Sequence, residues 1–281
     1  MPIRLIATDL DGTLLNSQGK ISDANRQALL SAAERGVQIV IVTGRRFHSA
    51  RPHVEPLPCP LTLITSNGAR ISTLGGEVFY RDFLSREVAR QALVHTRAYR
   101  PYAVAIFDAA GYGQVTLQSC AVPEGPLGWY LRNSADCVKL VPDLEAVFDT
   151  DPVQVMIGGP PAAIEPAEAR LRDSPVGTKV HLTWTKYLTR NISLLDVMNY
   201  GCSKGRALEH WAQRQGIQPH EVLAIGDNFN DLEMLRFAGC PVLMGNSCNG
   251  LEQFGWPRTL SHDEDGLAAA IQKYVLDSKE N

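Results

Sequence analysis

The sequence predicts an α/β protein: a doubly wound parallel sheet interrupted by an inserted α+β segment. Three observations predict it. Short apolar runs ending in polar or acidic residues recur at 3–10, 37–42 and 61–64. The stretch between the first two has helical spacing, so the order is strand, helix, strand, as in a parallel sheet. The same texture returns after Ser203, whereas the residues between lack that order.

Taken along the chain, residues 3–10 (IRLIATDL) are apolar and end in acid, which suits a buried parallel strand. Asp11-Gly12-Thr13 breaks it. Ser22 is placed to cap a helix running to about Arg35, with Leu29, Leu30 and Ala33 on one face and Gly36 as its stop. Residues 37–42 form the next strand, ending at Thr43-Gly44-Arg45, and 61–64 another, ending at Thr65-Ser66-Asn67-Gly68. From about Phe83 the pattern turns α+β. A helix over 85–99 precedes PYAVAIFD, residues 120–150 are irregular, strands are expected at 153–157, 180–184 and 192–197, and a helix at 164–171. The core pattern resumes with a helix from near Ser203 to Gln215, a strand at 222–225 ending in Gly226-Asp227, and a helix after Asn230. A strand at 241–244 and a final helix from Gly266 to about Leu276 complete it.

At 281 residues the chain is long enough for about two domains. With 44% hydrophobic and 20% charged residues it is ordinary for a globular protein, which excludes a collagen-like rod, a coiled coil and a disordered chain. Twenty-seven basic against thirty acidic residues give a net charge of −3, so no nucleic-acid partner is expected. No apolar run is long enough to span a membrane, and Asp9 and Asp11 interrupt the stretch where a signal peptide would be apolar. The six cysteines, Cys59, Cys120, Cys137, Cys202, Cys240 and Cys248, form no CxxC pair and read as free thiols. The expectation is a cytoplasmic protein.

Ligands of open α/β sheets bind at the carboxyl ends of the strands. Those ends hold Asp9 and Asp11, Thr43, Asn67, and then Asp227, Asn230 and Asp231. Four clustered carboxylates repel one another unless a cation neutralises them. Mg²⁺ favours one or two carboxylates together with substrate phosphate oxygens, so the strand-end acids point to Mg²⁺ and a phosphoryl substrate.

Asp9-Leu10-Asp11-Gly12-Thr13-Leu14 resembles motif I (DxDGT) of the haloacid dehalogenase superfamily. Thr43-Gly44-Arg45, Ser203-Lys204-Gly205 and Gly226-Asp227-Asn228-Phe229-Asn230-Asp231 resemble its motifs II, III and IV, in the family's order. The long insert, Met244-Gly245-Asn246 and Glu264-Asp265-Gly266-Leu267 are similar to the Cof-type subfamily with its class IIB cap. The resemblance implies a Rossmann-like core of 1–82 and 194–281, with 83–193 inserted as a specificity cap that closes over the site. It further implies a Mg²⁺-dependent phosphatase working through an aspartyl-phosphate. Asp9 would be the nucleophile and Asp11 the general acid and base, with Mg²⁺ held by Asp9, Asp227 and the Asp11 carbonyl. Thr43 would donate to a phosphate oxygen and Lys204 would stabilise the transition state. Thr13, Gly44 and Asn67 would line the phosphate, while Asn230 and Asp231 would orient the metal shell and Lys204. Lys186, Arg190 and Asn191 are candidate cap contacts. The substrate would be a small phosphorylated metabolite, a sugar phosphate first, with flavin-precursor and pyridoxal phosphates as alternatives.

Other readings remain open at this level. Thr43 alone would serve as a helix cap, and Arg45-Arg46 reads as a surface pair. Gly201-Cys202-Ser203-Lys204-Gly205 formally matches GxSxG, with Asp227 or Asp231 and then His262 in esterase order. That leaves Lys204 and both acidic motifs without a role. A phosphomutase would use the same core. A non-catalytic regulator would not need the complete acid set. The histidines form no HxxxH pair, so zinc is not expected, and without a P-loop neither is ATP.

Overall fold

A computed structural model describes residues 2–119, 127–128, 131–187 and 190–277. The chain divides into one unit of Met1–Arg81 with Ser203–Asn281, and a second of Asp82–Cys202.

The first unit is built on a seven-stranded sheet. β1 (Leu5–Thr8), β2 (Gln38–Val42), β3 (Leu61–Thr65), β12 (Val222–Gly226) and β13 (Cys240–Leu243) run parallel in the order β13-β12-β1-β2-β3. Alternate residues of these strands feed two different cores, because side chains alternate across a sheet. Ile6, Ile39, Ile41, Leu63, Leu223 and Ile225 pack on one face against α1 (Asp23–Glu34), α2 (Phe47–Val54) and α7 (Gly266–Ile271). Leu5, Ala7, Val40, Val42, Val222 and Ala224 pack on the other against α5 (Lys204–Arg214) and α6 (Leu232–Phe237). Burial on both faces is why the strands read as unbroken apolar runs.

Ser22 caps α1, its hydroxyl accepting the Asn25 N–H. The buried face of that helix is Asn25, Ala28, Leu29 and Ala32; Leu30 and Ala33 are only partly buried. The parallel sheet continues as an antiparallel hairpin, β4 (Arg70–Thr73) and β5 (Val78–Arg81), turning at Gly75-Gly76. This hairpin is not evident from the sequence pattern, and the N-cap of α2 is Arg46 rather than Thr43. The final helix passes into a π-turn over Gln272–Leu276.

The second unit holds a six-stranded sheet in the order β10-β11-β9-β6-β7-β8, antiparallel except for β7 with β8. Its strands are β6 (Ala103–Ile106), β7 (Val115–Gln118), β8 (Val138–Val141), β9 (Gln154–Gly159), β10 (Val180–Tyr187) and β11 (Ile192–Asn199). α3 (Arg86–His95) and α4 (Pro161–Arg172) bury Ala89, Leu93, Ile164 and Leu171 against one face of it. The expected helix over 85–99 ends at His95 and gives way to a 3-10 segment, Arg97–Tyr102. The region expected to be irregular contains β8. Cys120 and most of 121–130 lie outside the described residues.

The sequence boundary at 193/194 falls inside β11. All eight residues of β11 pair with β10, and five pair with β9, so this strand stays in the second unit, which extends to Cys202.

Candidate active site

The site is assembled within the first unit by the carboxyl ends of β1, β2, β3 and β12, where β1 lies between β2 and β12. That order is a topological switch point, the place where an open α/β sheet forms a crevice. Asp9 follows β1 directly, its N–H bonded to the Ile225 carbonyl of the neighbouring strand (3.0 Å). Asp227 directly follows β12. Lys204 opens α5, after Ser203 caps that helix by accepting the Arg206 N–H (3.1 Å).

Lys204 is fully buried, which requires anionic partners. It has two: Nζ donates to Asp9 Oδ1 (2.7 Å) and to Asp231 Oδ1 (2.6 Å). The other oxygen of Asp231 accepts the N–H groups of Asp227 and Asn228 (3.0 Å each). Asp231 is therefore spent on fixing Lys204 and the loop. Asp227 Oδ1 accepts the Thr13 hydroxyl (2.9 Å). Gly12 has φ +79°, and a Cβ there would lie 2.5 Å from Asp227 Oδ2, so the residue between Asp11 and Thr13 must lack a side chain.

Carboxylate oxygens of Asp9, Asp227 and Asp231 lie within 4.8 Å of one another, all three buried. Burial, then repulsion from Asp231, pushes Asp9 up to about 7 despite Lys204. Burial, then repulsion from Asp9, likewise drives Asp227 well above the ordinary carboxylate range. For Lys204, burial alone would lower the pKa, but Asp231 and Asp9 outweigh it and hold the ammonium above its usual value. Three buried acids against one buried base leave an excess of negative charge, all of it on hard oxygen donors. The set fits a divalent cation. Asp9 and Asp227 are the carboxylates best suited to hold it, because Asp231 is already occupied. A further buried oxygen, Asn230 Oδ1, has no hydrogen-bond partner among the described residues.

The ends of β2 and β3 supply the other wall. Thr43 is buried and its Oγ1 accepts the Arg45 N–H (3.1 Å), leaving its own hydroxyl proton to donate. Ser66, Asn67 and Gly68 all have positive φ (50°, 53° and 105°), a sharp turn of the kind found at functional loops. It places Asn67 Oδ1 against Asn230 Nδ2 (3.0 Å). A Cβ on Gly44 would come within 3.0 Å of the same Asn67 oxygen.

The structure thus brings Asp9, Asp11, Thr13, Thr43, Gly44, Asn67, Lys204, Asp227, Asn230 and Asp231 to one end of one sheet. Lys186, within β10, and Arg190 and Asn191, which precede β11, belong to the second unit; Asn191 has φ 49°. The esterase constellation is not assembled: Ser203 Oγ is engaged as a helix cap, and the ion-pair neighbour of His262 is Asp263, at 3.7 Å.

Two residues of the site were not anticipated. Arg45, read as half of a surface pair, is half-buried instead. Its Nε and Nη2 grip both carboxylate oxygens of Asp11 at 2.6 Å each. The cause is topological: β1 and β2 are neighbours, so the turns after them face each other. Asn246 donates Nδ2–H to the Gly12 carbonyl (2.8 Å) and accepts the His262 N–H (2.9 Å), which ties the loop after β1 to the C-terminal segment.

Comparisons agree with this geometry. The family described as haloacid dehalogenase-like hydrolase matches residues 6–271. The 5-amino-6-(5-phospho-D-ribitylamino)uracil phosphatase YcsE of Bacillus subtilis is 30% identical over 274 residues, covering 98% of this chain and 96% of that protein. The HMP-PP phosphatase of Cronobacter sakazakii is 28% identical over 249 residues, covering 87% and 85%. Among solved structures, SMU.1108c from Streptococcus mutans superposes with a TM-score of 0.85 at 21% identity, covering 97% of this chain and 98% of that one; this likeness concerns the fold. With four motifs converging on one crevice and the family matched over nearly its whole length, the chain belongs to the haloacid dehalogenase-like hydrolases, in the Cof-type branch.

Proposed function

We propose that the protein is a Mg²⁺-dependent phosphatase of small phosphorylated metabolites, working through an aspartyl-phosphate on Asp9. The observation that carries the reading is the Lys204 clamp. A buried ammonium aims one carboxylate, Asp9, from the end of the central strand, with Asp227 beside it. The phosphatases YcsE and HMP-PP phosphatase, similar over most of the chain, support the reaction class.

In the first half-reaction Asp9 attacks phosphorus in line. The P–O bond to the leaving group breaks, and Asp11 gives that oxygen a proton. In the second, Asp11 takes a proton from water, which displaces Asp9 as inorganic phosphate leaves. Lys204, the Thr43 hydroxyl and nearby backbone N–H groups stabilise the negative charge on the phosphoryl oxygens. Asp231 and Asn230 hold Lys204 and Asn67 in place for this. When bound on Asp9, Asp227 and the Asp11 carbonyl, Mg²⁺ supplies neutralisation of phosphate charge. The relatives' substrates are phosphorylated intermediates of modest size, and a sugar phosphate is the first substrate class to test. The second unit, with Lys186, Arg190 and Asn191, would then select among them as a cap. Cys59, Cys137 and Cys240 are free thiols, which suits the cytoplasm, and no helix of the described residues is long and apolar enough to cross a membrane.

The direct test compares p-nitrophenyl phosphate with p-nitrophenyl acetate, with and without EDTA. Phosphate hydrolysis abolished by EDTA and restored by Mg²⁺ is expected. Acetate hydrolysis indifferent to EDTA, without phosphate turnover, would return the site to the esterase reading.

Cation binding can also be read without activity. The stability tied to the raised pKa of Asp9 is fully present below the unfolded value, near 4, and is lost as pH rises through about 7. A cation binds only the ionised carboxylates, so its stabilisation grows over that same window. Saturating Mg²⁺ is expected to raise Tm by roughly 5–10 °C at pH 8 and by little at pH 5. An equal shift at both pH values would contradict cation binding to these acids.

A further inference from the structure

The Arg45 side chain has a third contact that the mechanism above does not use. While Nε and Nη2 hold Asp11, Nη1 lies 2.6 Å from His53 Nε2. Guanidinium is always a donor, so the ring nitrogen facing it must be the acceptor. His53 also has a hydrogen bond with the backbone of Gly19, in the turn that follows the motif I loop. The ring is thus fixed from two sides: by α2, which carries it, and by the turn at Asn16–Lys20, where Gly19 N–H bonds to the Asn16 carbonyl. Burial first, and then the neighbouring guanidinium, lowers the His53 pKa, which keeps the acceptor lone pair available at neutral pH.

We propose that His53 is a positioning residue for the second half-reaction: by accepting from Arg45 it locks the guanidinium fork that orients Asp11 as the base. The proposal rests on the Asp11 assignment given above. The fork meets both Asp11 oxygens at 2.6 Å each, a bidentate geometry that fixes the plane of the carboxyl group. His53 touches neither phosphate nor water. It acts through Arg45, adding a third hydrogen bond to a side chain that Asp11 already engages by two.

The prediction separates the two half-reactions. With p-nitrophenyl phosphate the leaving group needs little help from an acid, so formation of phospho-Asp9 is insensitive to the fork. Its hydrolysis is not. In rapid-quench experiments with Mg²⁺ present, His53→Ala is expected to slow the decay of phospho-Asp9 after a chase by about tenfold, a part of the 10²–10⁴ typical of a whole acid–base residue. Formation should stay within about twofold of wild type. His53→Gln keeps an acceptor oxygen on a similar reach and is expected to recover most of the decay rate. The ring borders an open cavity of about 260 Å³ lined also by Lys20, Ile21, Arg26 and Pro52, so its truncation meets solvent and leaves the core packed.

Asp11→Asn separates this proposal from the reading beneath it. If Asp11→Asn slows decay and His53→Ala does not, the positioning role is overturned while the Asp11 assignment stands. If His53→Ala slows formation and decay alike, and His53→Gln does no better, the residue is merely structural. If Asp11→Asn decays as wild type, the base assignment itself fails and the role of His53 fails with it.

Discussion

Asp9→Asn is expected to lower kcat for p-nitrophenyl phosphate by about 10⁴-fold or more while leaving the fold intact, as loss of a covalent nucleophile does in other hydrolases. An amide of the same shape still accepts the Lys204 bond through its oxygen, and Asp231 still pairs with Lys204. The substitution removes one of three buried acids that raise one another's pKa, so the metal-free protein should be no less stable than wild type above pH 7. Stability retained with activity lost is the signature of a nucleophile. Stability and activity lost together would instead make Asp9 a structural partner of Lys204.

Lys204→Ala carries the second large effect, and it falls on both quantities. Nζ is fully buried between Asp9 and Asp231, so removing it leaves two desolvated carboxylates with no cation beside them. Breaking a buried pair in this way costs about 3–5 kcal/mol. The sign with pH follows from Lys204 being what lowers the Asp9 pKa. Without it Asp9 ionises still less readily, so the penalty is largest above pH 7 and shrinks toward pH 5, where Asp9 is protonated. Urea unfolding at the two pH values checks this. The rate, measured with Mg²⁺ where the variant is folded, is expected to fall by about 10²–10³-fold, the scale of one charge stabiliser in a water-poor site. A loss below about 1 kcal/mol at pH 8 with kcat unchanged would make the clamp dispensable. Lys204→Arg should not rescue either quantity, because a planar fork does not fit a slot built for a compact ammonium between two oxygens.

These effects concern residues that were legible in the sequence, and for a physical reason. A strand buried on both faces is an apolar run, and the first polar residue after it stands at the crevice. Asp9 after residues 5–8, Thr43 after 38–42 and Asp227 after 222–226 are found in that way. Lys204 is legible because a cation at a helix N-terminus is disfavoured by the helix dipole and needs another purpose. Arg45 and His53 were not legible. Their partner Asp11 lies 34 residues before Arg45, and the contact depends on β1 and β2 being neighbours, which no local pattern encodes. The β4–β5 hairpin was missed because Arg70, Ser72 and Thr73 dilute its alternation, although Arg70 and Ser72 are buried. The sequence pattern puts the domain boundary nine residues earlier than the structure does, because β11 is as apolar as a core strand. Only its pairing with β9 and β10 assigns it to the second unit.

The covalent intermediate is the centre of the account and can be observed directly. Wild-type protein turning over p-nitrophenyl phosphate with Mg²⁺ is quenched in acid, reduced with borohydride, digested and sequenced by mass spectrometry. Borohydride converts an acyl phosphate of aspartate to homoserine. Homoserine at position 9, absent without substrate and absent at Asp11, Asp227 and Asp231, is the predicted result. A phosphoryl or acyl group on Ser203, or turnover with no modification at position 9, would contradict it.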